Sequence, residues 1–364
     1  MRLLFALPGF HRYNRGAEVA LLSVADELAK SGDTVTVMGS GNTQPNASYE
    51  YRKLRSVHRE KFERFPQFPP LRSETCWEDA TFSTSLLKTY RPADYDAAIT
   101  CSFPFTHWAL RRPHAQSPLQ IFVTQNGDWP AYSDDAEYSR FACDGLVCTN
   151  PDYLARNQDR WPCTLIPNGV DLTRFHPGSA DRAQLGLPMD RPIILMVSAF
   201  IETKRVMDGI RAVAEMDDAM LVVAGDGPLR REGQALADDI LPDRFRRLSL
   251  TAAEMPALYR CADAFCHLSL LESFGNVFLE AWASGLPIVG HDTERLRWIL
   301  GTQDEFLCDT QDRAALIATL KAALARGRTV SDTVAGIDRF AWSNVAEQYR
   351  AFMASLADKR VEVR

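Results

Sequence analysis

The chain has 364 residues, 46% of them apolar and 24% charged, with a formal net charge of -6 and a pI of about 5.7. That length exceeds the usual size of one hydrophobic core, so two domains are expected, and the acidic balance argues against nucleic acid as a partner. No apolar run reaches the roughly 18 residues of a membrane-spanning helix, and the start, MRLLFALPGF, runs on without a small-residue cleavage site, so a cytoplasmic protein with a buried first strand is expected.

RLLFALPG reads as that strand, and GAEVALLSVADELAKSG as an amphipathic helix with Val19, Leu22, Ala25, Leu28 and Ala29 on one face, ended by Gly32. TVTVMGSG, YDAAITCS, LQIFVTQNG and DGLVCTN follow as short apolar strands closed by polar turns. Continuous apolar strands joined by helices imply a parallel sheet covered on both faces. WPCTLIPNGVDLTRFHPG, with three prolines and two glycines, places a domain boundary between residues 165 and 178. The rhythm restarts with the strands RPIILMVSAF, AMLVVAGDG, DAFCHLS and LPIVGHD, alternating with the helices VMDGIRAVAEM, EMPALYRCA and NVFLEAWASG. The tail is one helix with a Trp342, Val345, Tyr349 and Phe352 stripe. The expected fold is α/β, two doubly wound Rossmann-like domains facing a central cleft, over residues 1–170 and 171–342. Ligands of such sheets bind at the carboxyl ends of the strands.

The eight cysteines form no CxxC pair and read as reduced, buried small hydrophobes; the seven histidines are scattered without ligand spacing, so no metal site is expected.

The segment LSLLESFGNVFLEAWASGLPIVG sets Glu272 and Glu280 eight positions apart across a strand–turn–helix junction. Asn276 is placed to cap the helix, whose first backbone N–H groups and dipole form an anion site, and Gly275 lets a phosphate approach the backbone. Carboxylates accept hydrogen bonds and recognise paired hydroxyls. An anion site flanked by two hydroxyl acceptors describes a nucleotide sugar. Glycoside hydrolysis also uses two carboxylates, but a retaining pair stands about 5 to 5.5 Å apart, whereas eight helical residues span about 12 Å.

ESFGNVFLEAWASGLPIV resembles the E-x7-E element of the retaining GT-B glycosyltransferases of family 4. GAEVALLSVADELAKSGDTVTVM, IPNGVDLTRFHPG, VVAGDGPLR and EMPALYRCADAFCHLS are similar to further segments of that family. The resemblance implies a GT-B enzyme with an N-terminal acceptor domain, a C-terminal donor domain, and a final helix, residues 343–364, packed back on the first. It implies transfer of a hexose from a nucleoside-diphosphate sugar to an acceptor hydroxyl with retention, in glycan, lipid-linked saccharide or glycoconjugate biosynthesis, with no cofactor and no metal. Glu272 would contact donor-sugar hydroxyls and Glu280 the ribose, with Phe274, Gly275, Asn276 and Val277 lining the donor site. In the family an Arg and a Lys neutralise the leaving diphosphate, which itself helps take the acceptor proton. Lys204 matches the Lys, but Ala199 stands where the Arg is expected, so Arg205 or Arg15 is the replacement candidate.

The remaining candidates are less specific. Gly16 opens the first helix, so its N–H can face the diphosphate, and Arg15 either adds charge there or faces solvent. Asn126 occupies the position of the family's His and is expected to hold a sugar hydroxyl; Asp128 is a base, an acceptor ligand or a turn cap. Residues 51–72 carry seven Lys/Arg against two Glu among aromatics. Such a run is either a solvated face or a contact for an anionic membrane or a lipid-linked acceptor, which would put the protein peripherally at the inner membrane face. The glycine pairs at 39–41 and 225–227 are incomplete dinucleotide fingerprints. Two other classes stay open: a non-catalytic nucleotide-sugar binder, favoured by Ala199, and a GT-B epimerase or hydrolase acting on the donor alone.

Overall fold

The computed structural model describes residues 1–179, 181–301, 305–329 and 334–362. The chain divides into two compact units, Met1–Gly169 with Trp342–Arg364, and Val170–Ala341.

The first unit is built on seven parallel strands: β1 (Arg2–Ala6), β2 (Thr34–Gly39), β3 (Glu50–Lys53), β4 (Ala97–Thr100), β5 (Leu119–Val123), β6 (Gly145–Cys148) and β7 (Cys163–Leu165), in the order β3-β2-β1-β4-β5-β6-β7. Its helices are α1 (Gly16–Lys30), α2 (Glu74–Thr89), α3 (Phe105–Leu110), α4 (Trp129–Tyr132) and α5 (Pro151–Asn157). The second unit has six parallel strands: β8 (Ile193–Val197), β9 (Met220–Ala224), β10 (Phe245–Leu248), β11 (Ala264–His267), β12 (Ile288–His291) and β13 (Leu307–Cys308), in the order β10-β9-β8-β11-β12-β13. Around them lie α6 (Val206–Ala214), α7 (Arg230–Ile240), α8 (Met255–Cys261), α9 (Asn276–Ala283), α10 (Glu294–Leu300) and α11 (Arg313–Arg326).

The unbroken apolar runs have a simple cause. Successive side chains of a strand point to opposite faces, and here both faces are covered. Leu3 and Phe5 of β1 enter one core cluster while Leu4 and Ala6 enter another; Ile193 and Leu195 of β8 are likewise separated from Ile194 and Met196.

Helix α1 does present an apolar stripe, but its buried apolar residues are Ala20, Leu21, Val24, Ala25 and Leu28, while Val19 is exposed. The stripe is rotated from the expected one because the helix packs on the long C-terminal helix, α12 (Trp342–Glu362), as well as on the sheet. Helix α12 contributes Val345, Ala346, Tyr349, Met353 and Leu356 to the core of the first unit, with Trp342 and Phe352 half-buried beside them. A Cβ on Gly145 of β6 would lie 2.4 Å from Leu356 Cδ1, so the helix seats directly on the strand backbone.

In each sheet the strand order reverses beside the first strand, between β1 and β4 and between β8 and β11. Loops leaving the carboxyl ends at such a switch point diverge and leave a crevice. Residues 198–205 and 268–275 leave the switch point of the second sheet, and residues 7–15 that of the first.

Candidate functional site

Glu272 lies in the loop between β11 and α9, and two side chains hold one oxygen of its carboxylate. The Lys204 ammonium donates to Oε1, and His267 Nε2 lies 2.8 Å from the same oxygen. The other ring nitrogen of His267, Nδ1, is 3.2 Å from Ser198 Oγ. Arg295, in the first turn of α10, donates to the Glu272 backbone carbonyl. Burial alone would push the Glu272 carboxyl up, but His267 and the Lys204 ammonium outweigh it and hold it down to about 2.

Glu280 is the fifth residue of α9, and its Oε2 accepts a 2.7 Å hydrogen bond from the Tyr259 hydroxyl of α8. Here burial wins. It raises the carboxyl to about 7 against the Tyr259 hydrogen bond and the Arg174 guanidinium.

Between them the chain turns at Gly275, whose φ of +88° is a left-handed value and where a Cβ would meet the Phe278 ring at 2.7 Å. Gly275, not Asn276, is therefore the residue that caps α9; Asn276 is its first helical residue, which corrects the expected assignment. Phe274 is buried and Val277 packs on the core, so the side chains of both face inward.

Lys204 ends a short 3-10 turn, Glu202–Lys204. Arg205, a replacement candidate for the cation absent at exposed Ala199, has its guanidinium engaged by Asp208, the Leu268 carbonyl, and both the carbonyl and the hydroxyl of Thr310. Those partners fix the loop and use the charge. Arg15, the other replacement candidate, belongs to the first unit, where it pairs with Glu18 at 3.2 Å and stacks 4.1 Å over the Tyr13 ring.

Gly16 opens α1, with Arg15 as an extended cap that makes no side-chain cap bond. The buried Glu18 carboxylate lies against the loop that follows β1: a Cβ on Gly9 would lie 2.1 Å from its Oε1. Burial pushes Glu18 up, against the pull of Arg15. Asn126, after β5, donates to Cys101 Sγ at 3.8 Å, and Gln125 beside it pairs with Asn168. Asp128 is placed as the turn cap among the three expected roles. It is 1% exposed, accepts from Asn157 at 2.5 Å and pairs with Arg156 at 2.8 Å, so it ties α4 to α5.

Of the basic residues between 51 and 72, Arg52 pairs with Glu50, Arg59 with buried Glu78, and Arg72 with Asp135 and Glu137. Phe62, Phe65 and Phe68 gather around Trp77, and Phe65 and Phe68 remain exposed. The pair Gly225 and Gly227 serves close packing: a Cβ on Gly225 would sit 2.1 Å from the Ser198 carbonyl oxygen. All eight cysteines are free thiols. Among the described residues, no helix is long and apolar enough to cross a membrane.

Sequence reasoning missed Ser198, His267, Tyr259, Arg295 and Glu18. One signal for His267 was available: a histidine inside the apolar strand DAFCHLS, five positions before Glu272, has to find a polar partner.

The fold and this junction define a class, the two-domain GT-B glycosyltransferases. Residues 14–174 match the family model described as Glycosyltransferase Family 4, and residues 179–334 the model described as Glycosyl transferases group 1. The chain belongs to family 4 of the GT-B glycosyltransferases. It is 30% identical to the lipopolysaccharide core biosynthesis glycosyltransferase LpsD of Rhizobium meliloti, over 48% of this chain and 52% of that protein. It is 37% identical to the D-inositol 3-phosphate glycosyltransferase of Mycolicibacterium smegmatis, over 36% of this chain and 33% of that one. The chain spans about half the length of the first curated relatives it matches. Among solved structures it is similar to the sucrose-phosphate synthase of Thermosynechococcus elongatus, with a TM-score of 0.75 at 21% identity over 98% of this chain and 100% of that one. It also resembles Anabaena HepE in complex with UDP-glucose, with a TM-score of 0.71 at 16% identity over 98% and 100%.

Proposed function

We propose that the protein is a retaining, metal-independent glycosyltransferase that moves a hexose from a nucleoside-diphosphate sugar to an acceptor hydroxyl in lipopolysaccharide, glycolipid or related glycan biosynthesis. The observation that carries this reading is the pair of carboxylates flanking the start of α9, with the Lys204 ammonium on one of them. The relatives' names and the UDP-glucose bound to HepE support it.

In this reading Glu280 accepts the ribose hydroxyls, Glu272 accepts hydroxyls of the donor sugar, and the backbone N–H groups at Gly275–Val277 face the diphosphate. Lys204 turns from Glu272 to the diphosphate as negative charge develops there. The bond from the anomeric carbon to the phosphate oxygen breaks with its electron pair going to the diphosphate. The acceptor oxygen then bonds the anomeric carbon on the same face, and its proton passes to the departing diphosphate. Stabilising that leaving group is the large electrostatic contribution. The acceptor belongs to the first unit in this reading, and residues 51–72, with exposed Phe65 and Phe68, are where a lipid-linked acceptor or an anionic membrane would meet it.

The test is a donor screen with isolated lipid and saccharide acceptors in the presence of EDTA, the product anomer being read by NMR. Transfer with retention, falling about 10² to 10³-fold in Lys204→Ala, is the expected result. A second reading, a nucleotide-sugar binder without transfer, is favoured by Ala199 and by the engaged guanidinium of Arg205. It predicts donor binding with no product in any combination.

A further inference from the structure

Building on the function proposed above, we infer that His267 is a positioning residue for Glu272, held by Ser198 and holding in turn the carboxylate that receives the donor sugar's hydroxyls.

His267 is the last residue of β11 and is 2% exposed. Its surroundings are aromatic: the Phe278 ring meets it edge-on at 5.1 Å and the Phe265 ring lies parallel at 6.3 Å. A leucine would fill such a place without the cost of burying two ring nitrogens. That cost is offset only because both nitrogens are bonded, Nε2 to Glu272 at 2.8 Å and Nδ1 to Ser198 at 3.2 Å.

The backbone of Ser198 is itself held in place. Its backbone N–H bonds the Ala224 carbonyl at 3.0 Å, and the bare Cα of Gly225 presses against its carbonyl. A serine hydroxyl that donates to Nδ1 leaves the ring proton on Nε2, which then donates to the carboxylate. This is how an outer partner fixes the tautomer and orientation of a histidine.

The two groups on Glu272 Oε1 are not equivalent. Lys204 sits on a flexible stem in a short turn and has a second anion to visit once a diphosphate is present. His267 lies in a strand beside two rings and is tied at its second nitrogen to Ser198. When Lys204 leaves, His267 keeps Glu272 in the plane in which its other oxygen can accept from substrate. Misplacing such an acceptor acts on the sugar and leaves the nucleotide contacts intact.

The experiment compares wild type with His267→Leu, His267→Gln and Ser198→Ala. It measures the affinity for a nucleoside diphosphate, the affinity for the intact nucleotide sugar, and the rate of transfer. His267→Leu is expected to bind the nucleoside diphosphate within about twofold of wild type, to bind the nucleotide sugar about tenfold more weakly, and to lose about 10 to 100-fold in kcat. His267→Gln, whose amide nitrogen can take the place of Nε2, is expected to recover most of the loss, with Ser198→Ala in between. The inference is overturned if His267→Leu keeps wild-type discrimination and kcat. It is overturned equally if Gln is as impaired as Leu, which marks a packing role. Should the leucine variant not fold, Gln against Ser198→Ala decides: both at wild-type level overturns the inference. A wild-type protein that binds no nucleoside diphosphate would instead bring down the function proposal, and this inference with it.

Discussion

Glu272 and Glu280 lie eight residues apart on one stretch of chain, and their surroundings drive them in opposite directions. Glu272 is held to about 2 by His267 and Lys204 against its own burial, whereas Glu280, buried with a tyrosine as its hydrogen-bond partner, is raised to about 7. Both shifts have thermodynamic consequences. For Glu280 the folded value exceeds the unfolded value of 4.5, so the folded state binds the proton more tightly. The stabilisation is complete below pH 4.5 and is lost as pH rises through 7, a difference of about 3 kcal/mol. Glu272 acts with the opposite sign in a separate window, losing stability as pH falls from 4.5 to 2. Urea unfolding between pH 4.5 and 7.5 should therefore show a declining contribution that Glu280→Gln removes. An unchanged slope in that variant would contradict the assignment. With Glu280 binding ribose as proposed, nucleotide affinity should move the other way, rising with pH through 7, because only the carboxylate can accept from both ribose hydroxyls.

The glutamates and the Gly275 turn were legible in the sequence as a local pattern of turn, helix start and spacing, whereas Lys204 was singled out only through the family resemblance. The glutamates' other partners were not legible in this way. Ser198 and Tyr259 reach the junction from β8 and α8, through the parallel pairing of β8 with β11 and the packing around α9, whereas His267 lies on the same stretch as Glu272 and was marked only by being polar inside an apolar strand.

At the scale of elements, the central strands declared themselves as continuous apolar runs, and the strands that were missed stand at or near sheet edges. β3, β7, β10 and β13 are only partly buried and carry no such run. Helix α2 was missed for a different reason: its buried face includes Glu78, Asp79 and Ser83, which hide the helical period. Asp79 explains why a carboxylate is tolerated there. It accepts from the Ser102 hydroxyl at 2.9 Å, the Phe105 N–H at 2.8 Å, and the N–H and hydroxyl of Thr106, so it anchors the start of α3. Burial still pushes its carboxyl up. Asp79→Asn replaces one accepting oxygen by a donor and should destabilise the protein by about 2 to 3 kcal/mol, read as a lower urea midpoint at unchanged m-value. A midpoint within error of wild type would contradict the anchoring role.

For the whole molecule, chain order and unit membership differ only at the C-terminus. The chain leaves the first unit at Gly169, builds Val170–Ala341, and returns with α12. That return makes the first unit's core depend on residues more than 300 positions from β1. Gly145→Val, which places a branched side chain against Leu356 and Phe352, should lift α12 from β6 and cost about 2 to 4 kcal/mol. Unfolding followed by fluorescence of Trp342, at the start of that helix, in a chain whose other tryptophans are replaced would report it; a variant as stable as wild type would contradict the described seat of α12.

The central claim is that the junction around α9 recognises a nucleoside diphosphate through Glu280. Calorimetric titration of UDP, GDP, ADP and dTDP, with NAD as control, into wild type and Glu280→Ala tests it most directly. The account predicts a clear preference for one nucleoside diphosphate and a loss of about tenfold or more in the variant. Binding of none of the four, or binding indifferent to Glu280, would contradict it.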